Sequence, residues 1–537
     1  GRTTTNDKYH GNAASQGGTV SKYNTRTMSY TLNELLTYRR KFWEHSIDLL
    51  AGHEYYRYNY NYQLGSKSGI VDGIDELGSA VTTLSNTSYS NDYAIESVLA
   101  RLNYGFRDRY YFDASWRTDG SSRFHKSNQW GNFWSVGASW RISEEDFMKS
   151  TSDWLNNLTL KASYGVQGND NLGSYYVWQG RFSYGWSNGT RPGSTASSIE
   201  NKLVTWEKNG NLNIGLEASM FGGRLTTTIE YYSRKTRDML LNNPLAISSG
   251  FSGYDDNVGS MVNRGLEASL RGVIFDRSDF HWDASLMLSM NRNKVTELTS
   301  SQDVINYGSV VIEKGKPIYT FYMSKSAGVS PSTGRQLYYA YYRYAVDKSG
   351  SVVTEKCDEY VTDNVGLASL SKYYYGSRQA LFSGSFSSNF TFLKNFDFSF
   401  LTTFSVGGKI YDSLYGGAMN VTYAGNNWHR NVLRRWQKPG DITDVPLIEI
   451  GGSRTSTGEE LIDASYFAIK NITLGYTLPA SLTKKVGIGG CRVFVTADNL
   501  ALFSHMDGMD PQYNFTGTVS YTYSPSKVVA AGIDINF

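Results

Sequence analysis

Cysteine, proline and net charge are all scarce in this chain: two Cys, nine Pro and a net charge of +3 in 537 residues. Cys357 and Cys491 are too few for a disulfide framework, so thiols say nothing about compartment. The near-neutral balance argues against a nucleic-acid partner. Mean hydropathy is −0.42, and no apolar run approaches the roughly 18 residues that propose a membrane-crossing helix. The opening "GRTTTNDKYHGN" lacks the charged-then-apolar pattern of a secretory signal. That leaves a cytosolic protein or a processed piece of a longer one. Catalytic signatures are missing too. The histidines show no metal-helix spacing, and neither a G-x-S-x-G elbow nor a Walker A loop occurs. The sequence therefore proposes no catalytic residue, no cofactor and no metal ligand.

Aromatics are plentiful, with 41 Tyr and an aromatic content of 15%. They fall in strict alternation. In "NFDFSFLTTFSV" (395–406), Phe396, Phe398, Phe400, Thr402, Phe404 and Val406 share one strand face, and Asp397, Ser399, Leu401, Thr403 and Ser405 the other. Leu212, Ile214, Leu216, Ala218 and Met220 oppose Asn213, Gly215, Glu217 and Ser219 in the same way. So do Trp282, Leu286 and Leu288 against Asp283, Ser285 and Ser289. Helical periodicity is rare.

Soluble sandwiches alternate as well, so length and punctuation must decide. Globular strands peak at about 5–6 residues, whereas these runs reach roughly 10 or more, the length that crosses a bilayer at a tilt. Connections such as "KN" (394–395) and "FGG" (221–223) are tight, while others are long and polar. Short turns at one rim and long loops at the other describe an all-β, transmembrane antiparallel β-barrel. Closure pairs every backbone group within hydrocarbon, and apolar residues are needed only at alternate positions. The phenylalanine face is expected to meet lipid. Inward charges such as Lys161, Glu217, Glu267, Arg271 and Asp397 read as lumen lining rather than acid–base pairs. A passive porin-type channel and a secreted β-rich carbohydrate-binding protein stay open on this reading. An outer-membrane enzyme does so only distantly.

Several phrases resemble one family. They are "YYFDASWRTDGSSRF" (110–124), "WGNFWSVGASWRISEEDFM" (130–148), "NLNIGLEASMFGGRLTTTIEYYSRKTRDMLL" (211–241), "RRWQKPGD" (434–441), "DASYFAIKNITLGYTLP" (463–479), "CRVFVTADNLALFS" (491–504) and the closing "AGIDINF". In order, from about residue 93 to the end, they are similar to SusC/RagA-like TonB-dependent outer-membrane transporters of Bacteroidetes. That resemblance implies a 22-stranded barrel with an N-terminal plug and a TonB-contacting segment. It also implies a SusD-like surface lipoprotein as lid, a dimer of such pairs, and an oligosaccharide or peptide as cargo. A terminal Phe537 on an amphipathic strand resembles the insertion signal of outer-membrane proteins.

Counting back from Phe537 predicts about seventeen strands of the expected 22. Down-going strands are expected near 524–537, 462–479, 377–393, 303–312, 259–275, 209–220, 131–144, 93–106 and 20–38. Up-going ones are expected near 489–504, 395–409, 316–328, 279–296, 223–241, 154–167, 107–120 and 41–57. Residues 1–19 are expected to start the chain as an extracellular loop. The plug and remaining strands would then lie outside this chain, as a separate chain or an absent segment, leaving residues 1–537 a partial barrel whose strand at 20–38 has an unpaired edge. Long extracellular loops are expected at about 58–92, 167–206, 324–376 and 410–461. Their aromatics Trp178, Tyr341, Tyr342, Tyr373, Tyr374 and Trp428 are the candidate ligand or partner contacts, because Tyr and Trp join apolar area to a polar handle.

Overall fold

A computed structural model describes residues 1–298, 303–423, 425, 427–505, 510–513, 517–519 and 523–537. Strands dominate it, and no described helix is long and apolar enough to cross a membrane. The main sheet has sixteen strands in the order of the chain. They are Arg2–Asn6, Thr19–Phe42, His45–Ser68, Thr82–Phe106, Tyr110–Ser121, Trp130–Arg141, Leu155–Asn169, Glu207–Met220, Leu225–Arg237, Ser260–Asp276, Phe280–Glu297, Phe382–Phe392, Phe396–Val406, Tyr466–Thr477, Gly490–Ser504 and Val528–Asn536. Fifteen of the expected strands are there.

Two are not. The segments expected at 303–312 and 316–328 belong to a separate six-stranded sheet. Val310, Val311 and Ile312 are buried in succession, and Phe321 and Met323 are buried with them. A strand between lipid and a wet lumen would bury alternate residues at most, so this run marks a small protein core. Because the two leave as one down–up pair, the direction expected for every other strand is unchanged. The sixteenth strand is a further correction. Arg2–Asn6 was expected to be loop, yet it pairs antiparallel with residues 19–23. Beyond that short pairing, residues 24–42 have His45–Ser68 as their only neighbouring strand among the described residues.

The chain divides into two compact units. One comprises Gly1–Ala138, Ser163–Asn211 and Thr236–Val258, the other Ser139–Ala162, Leu212–Lys235 and Gly259–Phe537.

In the first unit, His45–Ser68 and Thr82–Phe106 run 24 and 25 residues. That is about twice what a bilayer needs. The expected loop at 58–92 is therefore mostly paired strand, and only 69–81 connects. Cross-strand tyrosines hold the extension: Tyr60 and Tyr62 each meet Tyr89, at 6.0 and 5.0 Å between ring centroids. The segment 167–206 contains its own hairpin, Arg181–Asn188 with Arg191–Ser198. It is pinned by Asp170, which accepts from Tyr93 Oη at 2.9 Å and Ser121 Oγ at 2.7 Å.

In the second unit the register separates the two faces. Phe280, Phe392, Phe396 and Tyr476 lie opposite one another on successive strands, and Trp282, Phe390, Phe398, Leu474 and Val495 form the next row. Among the described residues the rings touch neighbours in the same sheet: Phe392–Phe396 at 5.3 Å, Trp282–Phe390 at 5.4 Å and Phe390–Phe398 at 6.0 Å. Among the described residues no second sheet covers them, and Leu474 and Val495 are half exposed. On the other face Glu217 pairs with Lys161 at 2.5 Å, and Asp283 accepts from Asn389 at 3.1 Å. Left-handed backbone collects at the tight turns. Arg107 and Asp108 (φ 56° and 51°) and Leu393 and Lys394 (52° and 66°) supply the double positive φ that suits the right-handed twist of the flanking strands.

Candidate functional site

Above the barrel strands of the second unit, the expected loop 324–376 is a folded sheet. Its strands are Val304–Tyr307, Val310–Glu313, Thr320–Val329, Gln336–Val346, Val352–Thr362 and Lys372–Ser377. Val310, Phe321 and Met323 form its core, with Tyr319, Tyr375, Tyr411 and Leu461 packed against them. The 410–461 segment docks on the same sheet. Ser324 Oγ lies 3.3 Å from Thr455 Oγ1, Arg335 pairs with Glu449 at 3.2 Å, and Leu447 N donates to Gly334 O at 2.9 Å.

Four tyrosines from three of these strands meet. Tyr322 and Tyr374 stack at 4.7 Å, and Tyr341 meets Tyr373 edge-on at 5.5 Å. The hydroxyls of Tyr322 and Tyr341 lie 3.4 Å apart. Lysines sit over the rings, Lys316 Nζ 3.8 Å from the Tyr374 centroid and Lys325 Nζ 5.2 Å from that of Tyr373. The outer hydroxyls donate to carboxylates: Tyr373 to Glu359 at 2.7 Å, Tyr374 to Glu313 at 2.5 Å. Partial desolvation beneath its neighbours, then the hydrogen bond to Glu313, pushes the Tyr374 phenol up to about 12. Tyr322 and Tyr373 are raised as well, again chiefly by burial, and burial lowers Lys372.

The six expected contact residues meet different fates. Tyr341 occupies a register shift between Ala340 and Tyr342, and this bulge re-aims it inward. Its amide donates to Ser371 Oγ at 2.9 Å and its hydroxyl to Lys372 O at 2.8 Å. Tyr341 is thus a staple of its own sheet. Tyr342 is half-buried beside it. Tyr373 is half-buried, while Tyr374 is exposed. Trp178 belongs to the first unit, packed against the cluster of Phe124, Phe133, Val177, Val204 and Trp206. Trp428 keeps its indole N–H shut from solvent, with no acceptor among the described residues.

Two features escaped the sequence reading. The first is the pair Phe182 and Tyr184 on the hairpin at 181–198, both exposed beside an exposed Trp186. The second is a cavity of about 530 Å³ on the polar face of the barrel strands, beneath residues 317–319 and 377–380. Asn291 and Asn293 line it, continuing the phase of Asp283, Ser285 and Ser289. Both lie inside the strand expected at 279–296, so their place on the polar face follows from the alternation, whereas the cavity itself depends on the remote segments 317–319 and 377–380.

The family model for the β-barrel of TonB dependent receptor-like proteins matches residues 1–500. TonB-dependent receptor P3 of Formosa agariphila is 28% identical over 518 residues, covering 93% of this chain and 50% of its own length. TonB-dependent receptor SusC of Bacteroides thetaiotaomicron is 28% identical over 484 residues, covering 84% and 44%. A solved structure of the RagAB peptide transporter superposes with a TM-score of 0.83 at 30% identity, over 97% of this chain and 56% of that one. The chain spans about half the length of the curated relatives it matches. With its alternating strands, apolar outer face and polar inner face, this chain belongs to the TonB-dependent receptor β-barrel family of the outer membrane.

Proposed function

We propose that this chain is the larger part of the barrel of a SusC/RagA-type importer, which takes up an oligomeric nutrient, oligosaccharide or peptide, without breaking its bonds. The observation that carries the reading is the tyrosine and lysine array at Tyr322, Tyr373 and Tyr374, built on a rigid sheet of its own rather than on a floppy loop. Flat rings with hydroxyl or ammonium partners suit sugar faces and peptide side chains alike. The exposed Tyr184 and Trp186 suit a protein lid of the SusD kind. Energy would come through TonB acting on a plug. Plug and remaining strands would come from the half of the relatives' length that this chain does not span, and one of those strands would cover the open edge of 24–42. Two such barrel and lid pairs would form the dimer.

Purification of the untagged protein from its native membrane tests this. Co-purification of a surface lipoprotein, with oligomer uptake that stops when TonB is removed, is the expected result. Large steady single-channel conductance from the complete assembly would instead identify a passive pore.

A further inference from the structure

The cavity beneath residues 317–319 and 377–380 is rich in hydrogen-bond donors and holds a cation with no counter-ion among the described residues. Asn263 Oδ1 accepts from both Asn293 Nδ2 (2.9 Å) and Asn291 Nδ2 (3.3 Å). Its own amide nitrogen is left without an acceptor among the described residues. Gln379 repeats the pattern: its Oε1 accepts from Asn293 N at 3.2 Å, and its amide nitrogen is left over among the described residues. Arg378 lines the same wall. One of its terminal nitrogens donates to Pro511 O at 2.7 Å, and its Nε is shut from solvent with no acceptor among the described residues.

A half-buried guanidinium normally sits beside a carboxylate, because desolvating the charge is otherwise unfavourable. Here no carboxylate pairs with it among the described residues. Asp510, next to the Pro511 contact, is held by Gln512 at 2.8 and 3.0 Å and forms no ion pair with Arg378. Glu230 and Glu267 line the adjoining cavity, which shares Ser289 and Ser383. Burial holds the Arg378 pKa below its ordinary value, the direction expected for a cation lacking its partner.

We infer that this cavity takes a carboxylate carried by the cargo, with Arg378 supplying the charge and Asn263 and Gln379 the flanking N–H donors. The inference rests on the import reading and narrows it to acidic oligomers. A guanidinium flanked by amides offers several donors in fixed directions, which suits a two-oxygen acceptor. The carboxylates of the adjoining cavity would repel an anion that slid deeper, so its place is at the Arg378 end.

The test uses the complete native protein with whatever lipoprotein accompanies it. Binding of three probes is measured by titration calorimetry: a uronic-acid tetrasaccharide, an acidic tetrapeptide and a neutral tetrasaccharide. Arg378→Gln is expected to weaken an acidic probe about 10- to 100-fold, in line with a lost charge-assisted contact, and to leave the neutral probe unchanged. Arg378→Lys should restore part of the loss. Asn263→Asp keeps the side-chain shape but places a negative charge at the donor position, and it should weaken the same probe even if Arg378→Gln assembles poorly. Loss confined to the saccharide assigns a uronic acid as the source, and loss confined to the peptide assigns a peptide carboxylate. Equal affinity of all variants for the acidic probes, or no binding of either acidic probe by the native protein, would overturn the inference. Lipoprotein co-purification and the loss of uptake on TonB removal are read in the native protein, without any Arg378 variant, so the import reading is judged separately.

Discussion

Asp397 and Arg492 close a two-bond ion pair across an intervening strand, Nε to Oδ1 at 2.9 Å and Nη2 to Oδ2 at 2.6 Å, directly over Gly475. Asp397 stands opposite Gly475 in the register, and a Cβ on Gly475 would overlap both charged groups. Glycine is therefore what lets the fork lie flat on the polar face.

Gly475→Ala should break this pair. The pair is about one-third exposed, so solvent screening limits the loss to roughly 1–2 kcal/mol. The expected outcome is a lower thermal midpoint in detergent for Gly475→Ala, with no further drop on adding Asp397→Asn. A fully additive double variant would show that the glycine acts elsewhere.

The two faces of the strand Phe396–Val406 predict opposite responses to charge. Phe398→Lys places an ammonium on the lipid side, where a charge near the midplane loses about 2–4 kcal/mol. Ser399→Lys places it on the wet side, beside Asp283 and Asn389. Outer-membrane abundance and heat-modifiable migration should fall for the first variant only. Equal tolerance of both would contradict the facing.

Tyr374 predicts a loop transition in strong alkali. Its phenol is pushed up to about 12 from an ordinary 10.0, so between those values the folded sheet binds more protons than an unfolded one. Stability conferred on the loop sheet is therefore complete below pH 10 and falls as pH rises toward 12. An ultraviolet difference titration of wild type against Tyr374→Phe should show a missing tyrosinate component centred near pH 12. A component centred near pH 10 would mean the ring is not held as described.

Gly334 predicts how the two outer segments of the second unit are joined. Its φ is +73°, and a Cβ there would overlap the Trp436 ring. Trp436 Nε1 donates to Pro331 O at 3.0 Å, and Gly440 N to the same oxygen at 2.8 Å. Gly334→Ala should release the 436–447 segment, read as faster cleavage there by limited proteolysis with the barrel strands still protected. Unchanged cleavage would mean that Gly334 does not control the joint.

Phe396, Phe398 and Phe400 against Asp397 and Ser399 already specify a strand with one lipid face and one wet face. Side-chain direction alternates with a period of two, and hydrocarbon tolerates only one of the two sets. The same rule located fifteen barrel strands and their tight turns from residue order alone. It failed where burial is two-sided: Val310, Val311 and Ile312 are a core run, and residues 58–68 and 82–92 continue as paired tyrosine-rich strands past the bilayer, where polarity suggested loop. The contact residues divided for a similar reason. That Tyr341 is a staple follows from a bulge in the ladder, and that Trp178 is a core residue follows from Phe124 and Trp206, distant in sequence. The isolation of Arg378 is a property of what surrounds it in space. Periodicity is local and can be read along a chain, whereas the partner of a given side chain is settled only when remote strands come together.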